Sequence, residues 1–421
     1  MTFRLTLIRF VVIVRGRSHY FPPTMPMSHR FTANDQFPAL LNGAFMFFTA
    51  ATNFFLPIYF KDELGFSGGQ IGLLFAAQAT TGVLAALPAG LGNDRLSSRL
   101  LVALGLLFQG VTFALMAVFH SYWVFFAVFF VWALAYNLYR ISFDVQVLKA
   151  CQGVGLSRRM LIFQLYRFLT LAAGTVLAGY LLTNVSFSAA LIATALACIL
   201  LSALAMRLEP TPLARLRLAD YTADLRRPEV LFFALWMFLF ATHWGAEYTC
   251  YGLFLRNGLG LSLAGLGVYM TGEFAMIAIV FLVLLKGGRT FDRPRLTRLA
   301  IWGLISSGVG QIGMIFQPVS ISFAFRLLHG IGDGLMFVIL YLGIASLFVV
   351  QRIGGNTGFV NLAAMLGLVV GSLIFGPLGE RMGYDVPLWS SGVITMVLAL
   401  PLMRRSKKPA TAGAAEAIVN G

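Results

Sequence analysis

Three pairs of ionisable residues stand four positions apart in segments that are otherwise apolar. They are Arg140–Asp144, His243–Glu247 and His329–Asp333. Residues at this spacing lie on one face of a helix, and a histidine beside a carboxylate can exchange a proton near neutral pH. The two histidine pairs therefore predict sites that bind a proton or a polar ligand. For all three pairs the alternative is a static salt bridge that neutralises a buried charge.

Three single charged residues lie in apolar segments of the same kind. They are Arg167, Glu273 and Arg326. An ionisable side chain inside a membrane span is costly and is a candidate for a functional role. We therefore include these three with the pairs as candidates for substrate or proton binding.

The elements that must position these side chains are membrane helices. The chain has 421 residues, of which 59% are hydrophobic and only 11% are charged, too few charges for a soluble protein of this length. The apolar residues come in blocks of about 20, the length of a helix that crosses a bilayer. The composition thus predicts an all-α polytopic membrane protein and excludes a soluble protein with a large core.

We identify twelve predicted spans along the chain. They cover residues 37–60, 69–90, 100–119, 123–148, 160–182, 187–206, 230–254, 264–285, 297–316, 319–348, 358–378 and 385–403. The candidate charges fall in spans four, five, seven, eight and ten, whereas spans three, six, nine and twelve carry none.

The connections between the spans predict the orientation in the membrane. One set of connections, with both tails, holds 25 of the 31 Lys and Arg residues, and the opposite set holds Lys61, Arg256 and Arg381. The positive-inside rule then places both termini in the cytoplasm. The net charge of +15 is explained by this topology, so we do not expect nucleic acid as a partner.

The sequence repeats itself with an offset of nearly 200 residues. LGFSGGQIG at 64–72 corresponds to LGLSLAGLG at 259–267, and Gly90-x-x-x-Asp94-Arg95 corresponds to Gly288-x-x-x-Asp292-Arg293. The repeat predicts two pseudo-symmetric six-helix bundles. The expected division is a basic N-terminal extension 1–35, bundles 36–207 and 230–405, a cytoplasmic linker 208–229 and a cytoplasmic tail 406–421.

The stretch GLGNDRLSSR at 90–99 resembles the loop 2–3 signature of the major facilitator superfamily. Gly90, Asp94, Arg95 and Arg99 match this signature, whereas Gly92, Ser97 and Ser98 depart from it. The resemblance implies a gating loop in which Asp94 caps or pairs with a helix of the second half. It extends the gating candidates to the echo residues Gly288, Asp292 and Arg293. The alternative is a basic loop that sets topology only.

In that family, spans three, six, nine and twelve are peripheral and the others surround a central cavity, which agrees with the distribution of charges. The helical rise of about 1.5 Å per residue gives the depth of each candidate side chain in the membrane, and three depths are expected. Glu247, Glu273 and Arg326 are expected in the outer half; His243, His329 and Asp333 near the middle; and Arg140, Asp144 and Arg167 in the cytoplasmic third.

The resulting hypothesis is a secondary active transporter of a small organic solute in the cytoplasmic (inner) membrane, proton-coupled, working as a monomer by alternating access. One alternative is a proton-driven drug or metabolite exporter, although the family's export motif survives only as Gly174 and Gly179, without its proline. Another is a transporter-like membrane sensor. We expect no enzyme activity, because HExxH, CxxC and Walker A spacings do not occur.

Neither a cofactor nor a metal is expected. The three cysteines, Cys151, Cys198 and Cys250, have no paired spacing, which argues against a disulfide framework or a zinc site. Five amides in the spans are either substrate ligands or buried polar packing: Asn42, Asn53, Gln78, Asn137 and Asn361.

Overall fold

The computed structural model of the chain describes residues 33–150, 156–182, 184–211, 213, 218–287 and 291–406. Within these residues every regular element is a helix. Ten of the twelve predicted spans correspond, within the described residues, to helices long and apolar enough to cross a membrane.

Twelve membrane helices form two bundles of six. We number them α1 Ala33–Ile58, α2 Gly68–Arg95, α3 Ser98–Val118, α4 Tyr122–Ala150, α5 Leu156–Leu181, α6 Phe187–Ala205, α7 Pro228–Ala246, α8 Leu263–Lys286, α9 Arg293–Gly313, α10 Val319–Leu347, α11 Ile353–Met382 and α12 Asp385–Val397. A short linker helix, Leu218–Leu225, lies between the bundles. Wider π-helical turns at Tyr59–Glu63, Glu247–Tyr251 and Phe254–Gly258 extend α1 and α7.

The two bundles share one packing pattern. In the first, α1 packs on α5, α2 on α4, and α3 on both α4 and α6. In the second, α7 packs on α11, α8 on α10, and α9 on both α10 and α12. Adding six to the helix numbers of each pair in the first bundle gives the corresponding pair in the second bundle. This correspondence confirms the predicted internal repeat.

The repeat also extends to the backbone before α2 and α8. Gly65 and Gly260 have φ values of 67° and 66°, a left-handed conformation that glycine adopts without strain. The following Ser67 and Ser262 accept hydrogen bonds from the backbone N–H of Gln70 and Gly265, and so cap their helices. The similar sequences at 64–72 and 259–267 therefore fold into the same turn and cap.

Two helix pairs make the main contacts between the bundles, α2 with α11 and α5 with α8. At the α2–α11 contact, Gly90 lies so close to α11 that an added Cβ would stand 2.8 Å from the Gly358 Cα. Any larger side chain at Gly90 would force the two helices apart. We call the side of the molecule with this contact and the linker helix the linker side, and the opposite side the far side.

Several helix boundaries differ from prediction by a few residues. The span predicted at 69–90 continues to Arg95, so Gly90, Asp94 and Arg95, predicted in a gating loop, lie in the last turns of α2. The span predicted at 358–378 begins earlier, at Ile353, because the glycine-rich stretch that reads as a loop has its free N–H groups satisfied by Asp94 of the first bundle. The last span, predicted at 385–403, is interrupted after Val397 and resumes at Leu400–Ser406. Pro401 cannot donate to the preceding turn, which explains the interruption.

Candidate functional site

The histidine cluster comprises six ionisable side chains from three helices of the second bundle. Its members are His243 and Glu247 at the end of α7, Glu273 of α8, and Arg326, His329 and Asp333 of α10. All are buried except Glu247, whose side chain remains 14% exposed. Every cluster residue was predicted as a candidate from sequence, and the structure brings all six together.

Arg326 holds the outer part of the histidine cluster. Its Nη1 donates to Glu247 Oε1 at 2.9 Å, and its Nη2 donates to Glu273 Oε2. Its guanidinium carbon lies 4.4 Å from the centre of the Tyr251 ring, a cation–π contact. One cation thus binds two carboxylates and an aromatic face, which offsets the cost of burying it.

His329 connects the outer part of the cluster to the middle. Its Nε2 lies 2.9 Å from Glu247 Oε1 and 3.7 Å from Asp333 Oδ1. Its Nδ1 lies 2.9 Å from the backbone carbonyl oxygen of Ser307. A carbonyl oxygen only accepts, so Nδ1 carries the hydrogen of this contact and Nε2 faces the carboxylates.

Asp333 and His243 form the inner part. Asp333 accepts from Ser307 Oγ at 2.8 Å and from Trp244 Nε1 at 3.0 Å. His243 Nε2 lies 3.5 Å from Asp333 Oδ2, and His243 Nδ1 lies 2.5 Å from the carbonyl oxygen of Phe240. The ring centres of the two histidines are 5.6 Å apart, so the six side chains form one connected network.

Two subsets of the cluster have the spacing of metal ligands: His243, His329 and Asp333, and Glu247, Glu273 and His329, with ligand-type atoms within 4.8 Å of one another. In both subsets the carboxylates already accept from donors of the protein. Arg326 donates to both glutamates, and Ser307 and Trp244 donate to Asp333. The carboxylates of both subsets are thus already bound by donors of the protein itself.

The predicted i, i+4 pairs are only partly reproduced as contacts. His329 and Asp333 lie at 3.7 Å, as expected. Glu247 instead contacts Arg326 and His329 of the neighbouring α10, and Asp144 pairs with Arg167 of α5. Four-residue spacing places two side chains on one face, but neighbouring helices on that face offer closer partners.

The arginine cluster is a second, separate group that spans the two bundles. Its members are Arg140, Asp144, Arg167, Tyr341 and Asn361. Arg167 Nη1 lies 3.3 Å from Asp144 Oδ1 and donates to Tyr341 OH at 3.2 Å. Arg140 Nη1 donates to Asn361 Oδ1 of α11 at 2.9 Å. These bonds join α4 and α5 to α10 and α11 on the linker side of the histidine cluster.

Asp94 forms the polar contact at the linker-side end of the interface. Its carboxylate accepts from the backbone N–H groups of Gly354 and Gly355 at 3.0 and 2.7 Å, in the first turn of α11. Lys149 Nζ of α4 lies 2.9 Å away, and Tyr221 OH donates at 2.8 Å. A carboxylate at a helix N-terminus is favoured by the unpaired N–H groups and by the helix dipole.

The linker helix takes part in this contact. Burial, followed by the charge of Asp94, raises the pKa of the Tyr221 hydroxyl above its ordinary value, so Tyr221 stays a neutral donor. Asp224 accepts from Arg352 at 2.7 and 3.0 Å and from Asn356 Nδ2 at 2.8 Å. The linker helix therefore bonds to α2 of one bundle and to the start of α11 of the other.

The remaining gating candidates occupy different environments. Arg95 is exposed at the end of α2, and Arg99 is half-buried in the first turn of α3. Asp292 is exposed and accepts from Arg295 N at 3.0 Å, so it caps its own helix α9. Gly288 lies outside the described residues, as does the side chain of Arg293. Asp292, the counterpart of Asp94 in the repeat, thus makes a contact within its own helix, whereas Asp94 makes a contact between the bundles.

Several residues of these sites are absent from the sequence-based candidates. They are Lys149, Tyr221, Asp224, Trp244, Ser307 and Tyr341. Lys149 and Asp224 were visible as charges, but their positions near span ends are those of ordinary topology residues. The hydroxyl and indole groups carry no sequence signal, because such residues occur throughout the spans.

On the far side, a polar contact between the bundles is partly exposed. Tyr248 bonds to Gln78 across the bundles at 3.0 Å, yet its side chain is 52% exposed. The edge of its ring contacts Phe75 of α2. Among the predicted amides, Gln78 and Asn361 thus make inter-bundle contacts, whereas Asn42 accepts from Tyr139 within the first bundle and Asn137 donates to Ala133 O. The side chain of Asn53 lies outside the described residues.

Comparison with known proteins agrees with this architecture. The sequence matches the profile of the Major Facilitator Superfamily over residues 39–299 and 252–418. No curated protein sequence matches the chain at a significant level.

Three solved structures share the fold across their whole length. The human organic anion transporter MFSD10 (TETRAN) superposes with a TM-score of 0.70 at 15% identity, covering 88% of this chain and 100% of its own. The E. coli fucose:proton symporter FucP gives 0.68 at 16% identity, and the nucleoside transporter NupG gives 0.67 at 12%. Each of these two covers 89% of this chain and 100% of its own.

Proposed function

The chain belongs to the Major Facilitator Superfamily, and from this premise we propose that it moves a small organic solute across the membrane by alternating access, coupled to protons. Members of this family are transporters, so the chain is a transporter rather than an enzyme. The finer parts of the proposal, which are the coupling ion, the class of solute and the mechanism, are supported by the two inter-helix clusters.

The histidine cluster is the observation that carries proton coupling. It places two imidazoles and three carboxylates around one buried guanidinium in the second bundle. Coupling requires a group that gains a proton in one conformation and loses it in the other. Glu247 meets this requirement best, because it contacts both Arg326 and His329 and is still partly exposed.

Alternating access is supported by the different closure of the two sides. On the linker side Asp94, Lys149 and Tyr221 form a buried polar contact with α11. The arginine cluster closes the next layer. Opening of this side requires that these bonds break together while the far side closes. We therefore assign to Asp94 the role of a latch between the bundles.

The positive charges support the orientation. Lys and Arg residues concentrate in the connections and tails of the linker side, which we propose to be the cytoplasmic side of the inner membrane, with both termini there. Each bundle completes its own packing pattern within a single chain, which supports a monomeric transporter.

The proposal is tested by following internal pH in proteoliposomes while sugars, carboxylates, amino acids and cationic drugs are added in turn. We expect one class of solute to drive a proton flux in the wild-type protein. Glu247→Gln should lower that flux at least tenfold, because the amide cannot carry the exchangeable proton. The sign of the flux separates symport from export by antiport.

The matched control is Glu380→Gln, since Glu380 is exposed at the far end of α11. It should keep the flux of the wild-type protein. If Glu247→Gln has the same proton flux as this control, Glu247 is not the residue that couples protons to transport.

A further inference from the structure

We propose that the histidine cluster holds two exchangeable protons, one between His329 and Glu247 and a second between His243 and Asp333, and that both are used in each transport cycle. The number of bound protons is a property of the cluster alone. Their use in transport rests on the proton-coupled function proposed above.

The hydrogen-bond partners determine which ring nitrogen carries the exchangeable proton. Nδ1 of His329 faces the carbonyl oxygen of Ser307, and Nδ1 of His243 faces the carbonyl oxygen of Phe240. Because a carbonyl oxygen only accepts, both Nδ1 atoms keep their hydrogens whatever the charge of the ring. The proton that comes and goes is therefore the one at Nε2, and in both rings Nε2 faces a carboxylate.

The first site is the contact between His329 and Glu247. His329 Nε2 and Glu247 Oε1 are 2.9 Å apart. Without a proton on either group, an unprotonated ring nitrogen would lie beside a charged carboxylate oxygen in a buried position, which is unfavourable. The contact is stable when one proton is shared, on either the imidazole or the carboxyl group.

The second site is the contact between His243 and Asp333. His243 Nε2 and Asp333 Oδ2 are 3.5 Å apart, and the two side chains are 0% and 1% exposed. Trp244 Nε1 and Ser307 Oγ donate to the same carboxylate. The Asp333 carboxylate is the charged group that faces Nε2 of His243, so a proton added to that ring is stabilised by it.

The charged and titratable groups around the two rings come from α7, α8 and α10. The charged and titratable groups are His243, Glu247 and Tyr251 of α7 with its extension, Tyr269 and Glu273 of α8, and Arg326, His329 and Asp333 of α10. α9 presents the hydroxyl and carbonyl of Ser307, and α11 packs on α7 through the backbone of Gly367 and Gly371. α5, packed on α8, presents Phe168 to Phe281.

The net charge of this set indicates two protons rather than one. With both imidazoles neutral, the charges of the three carboxylates and the one guanidinium sum to −2. With both imidazoles protonated, the net charge of the cluster is 0. Net charge is costly inside a membrane protein. The doubly protonated cluster is therefore the form that can remain buried while the protein changes conformation.

Exposure indicates the route by which the protons enter. Glu247 is the most exposed member of the cluster, and from it the contacts lead through His329 and Asp333 to His243. A proton that enters the cluster from the far side therefore reaches the His243 site last.

The number of protons can be counted on the purified full-length protein without any solute. We would measure protons released, with a pH dye, as the pH rises from about 5 to about 10, the range over which perturbed imidazoles titrate. The paired variant His243→Gln/Asp333→Asn should release one proton fewer than wild type. His329→Gln/Glu247→Gln should also release one fewer, and the combination of all four changes two fewer.

His120→Gln calibrates the loss of one proton, because His120 is exposed. A combined variant that differs from wild type by one proton or none would overturn the proposal. If a paired variant does not fold, the number of protons released by the single variant His243→Gln tests the proposal instead. The glutamine amide keeps an N–H donor for Asp333 but cannot take up a proton, so one proton must still be lost.

Use of both protons in transport is measured as solute accumulation at zero membrane potential, with the solute that drives proton flux in the panel. A gradient of about one pH unit should support about 100-fold accumulation with two protons and about tenfold with one. We expect the first value for wild type and the second for His243→Gln. A tenfold limit in wild type would overturn the two-proton cycle, whereas an absence of flux with every solute would contradict the proposed function and leave the proton count intact.

Discussion

At the scale of single residues, a motif position predicts a role only together with the contacts it makes. Asp94 and Asp292 hold the same place in the repeated G-x-x-x-D-R pattern. Asp94 is fully buried and binds the first turn of α11 in the other bundle, whereas Asp292 is exposed and caps α9, the helix that it begins. The same residue type therefore makes a contact between the bundles in one half and a local helix cap in the other.

This difference predicts unequal effects of Asp→Asn substitution. Asp94→Asn removes the charge that binds Gly354, Gly355 and Lys149. A hydrogen bond to a charged group contributes about 1.5–3 kcal/mol, so the linker-side-closed state should lose about 10- to 100-fold in population. We expect solute flux in proteoliposomes to fall at least tenfold.

Asp292→Asn is the matched control and should retain nearly the full flux, because an asparagine also caps a helix. Equal fluxes in Asp94→Asn and Asp292→Asn, both monodisperse in detergent, would contradict the latch.

At the scale of elements, the linker helix contacts both bundles in addition to connecting them. Tyr221 bonds to Asp94 of α2, and Asp224 bonds to Arg352 and Asn356 at the start of α11. The linker helix has only eight residues, a length at which an isolated helix is marginal. Its stability must therefore come from these contacts, and it should loosen when the linker side opens.

Asp224→Ala should thus increase amide hydrogen exchange in two places at once, the linker helix and the first turns of α11. The loss of the bidentate bond from Arg352 leaves both elements less constrained. Thr222→Ala is the control, since the Thr222 hydroxyl is exposed and donates within its own helix to Ala219 O. Exchange that rises in the linker helix alone would show that it does not hold α11.

At the scale of the whole molecule, the bundles meet mainly through two equivalent helix pairs, α2 with α11 and α5 with α8. Contacts on the linker side are buried and charged, whereas Tyr248 on the far side is half exposed. If the two bundles rock about such an interface, one side must open as the other side becomes tightly packed. A variant that weakens one side should therefore tighten the other.

Distances between spin labels would show this exchange. In a background without the three native cysteines, labels at the exposed positions Leu96 and Lys286 report the linker side. Labels at Trp123 and Met382 report the far side. We expect Asp94→Asn to lengthen the first distance and to shorten the second.

A pair within the first bundle, Leu96 with Trp123, should keep its distance. Two inter-bundle distances that change in the same direction would contradict rocking of rigid bundles.

Much of the fold follows from the sequence. The twelve spans, the two bundles and the repeat depend on hydrophobic length and on local turn residues such as Gly65 and Gly260, which act within a few positions of themselves. Even the candidate charges in the spans were identifiable, because an ionisable residue in an apolar stretch stands out.

What the tertiary structure alone decided is which of these charges meet. Spacing along a helix placed His243 with Glu247 on one face, but it carried no information on the helix opposite that face, and Arg326 and His329 of α10 proved to be the partners of Glu247. The same holds for Asp94 with Lys149 and the N-terminus of α11. The sequence determined that the chain crosses the membrane as helices, because apolar length and backbone hydrogen bonding are local requirements. The pairing of buried charges was decided by packing between helices distant in sequence, because electrostatic partners inside a protein depend on distances in space.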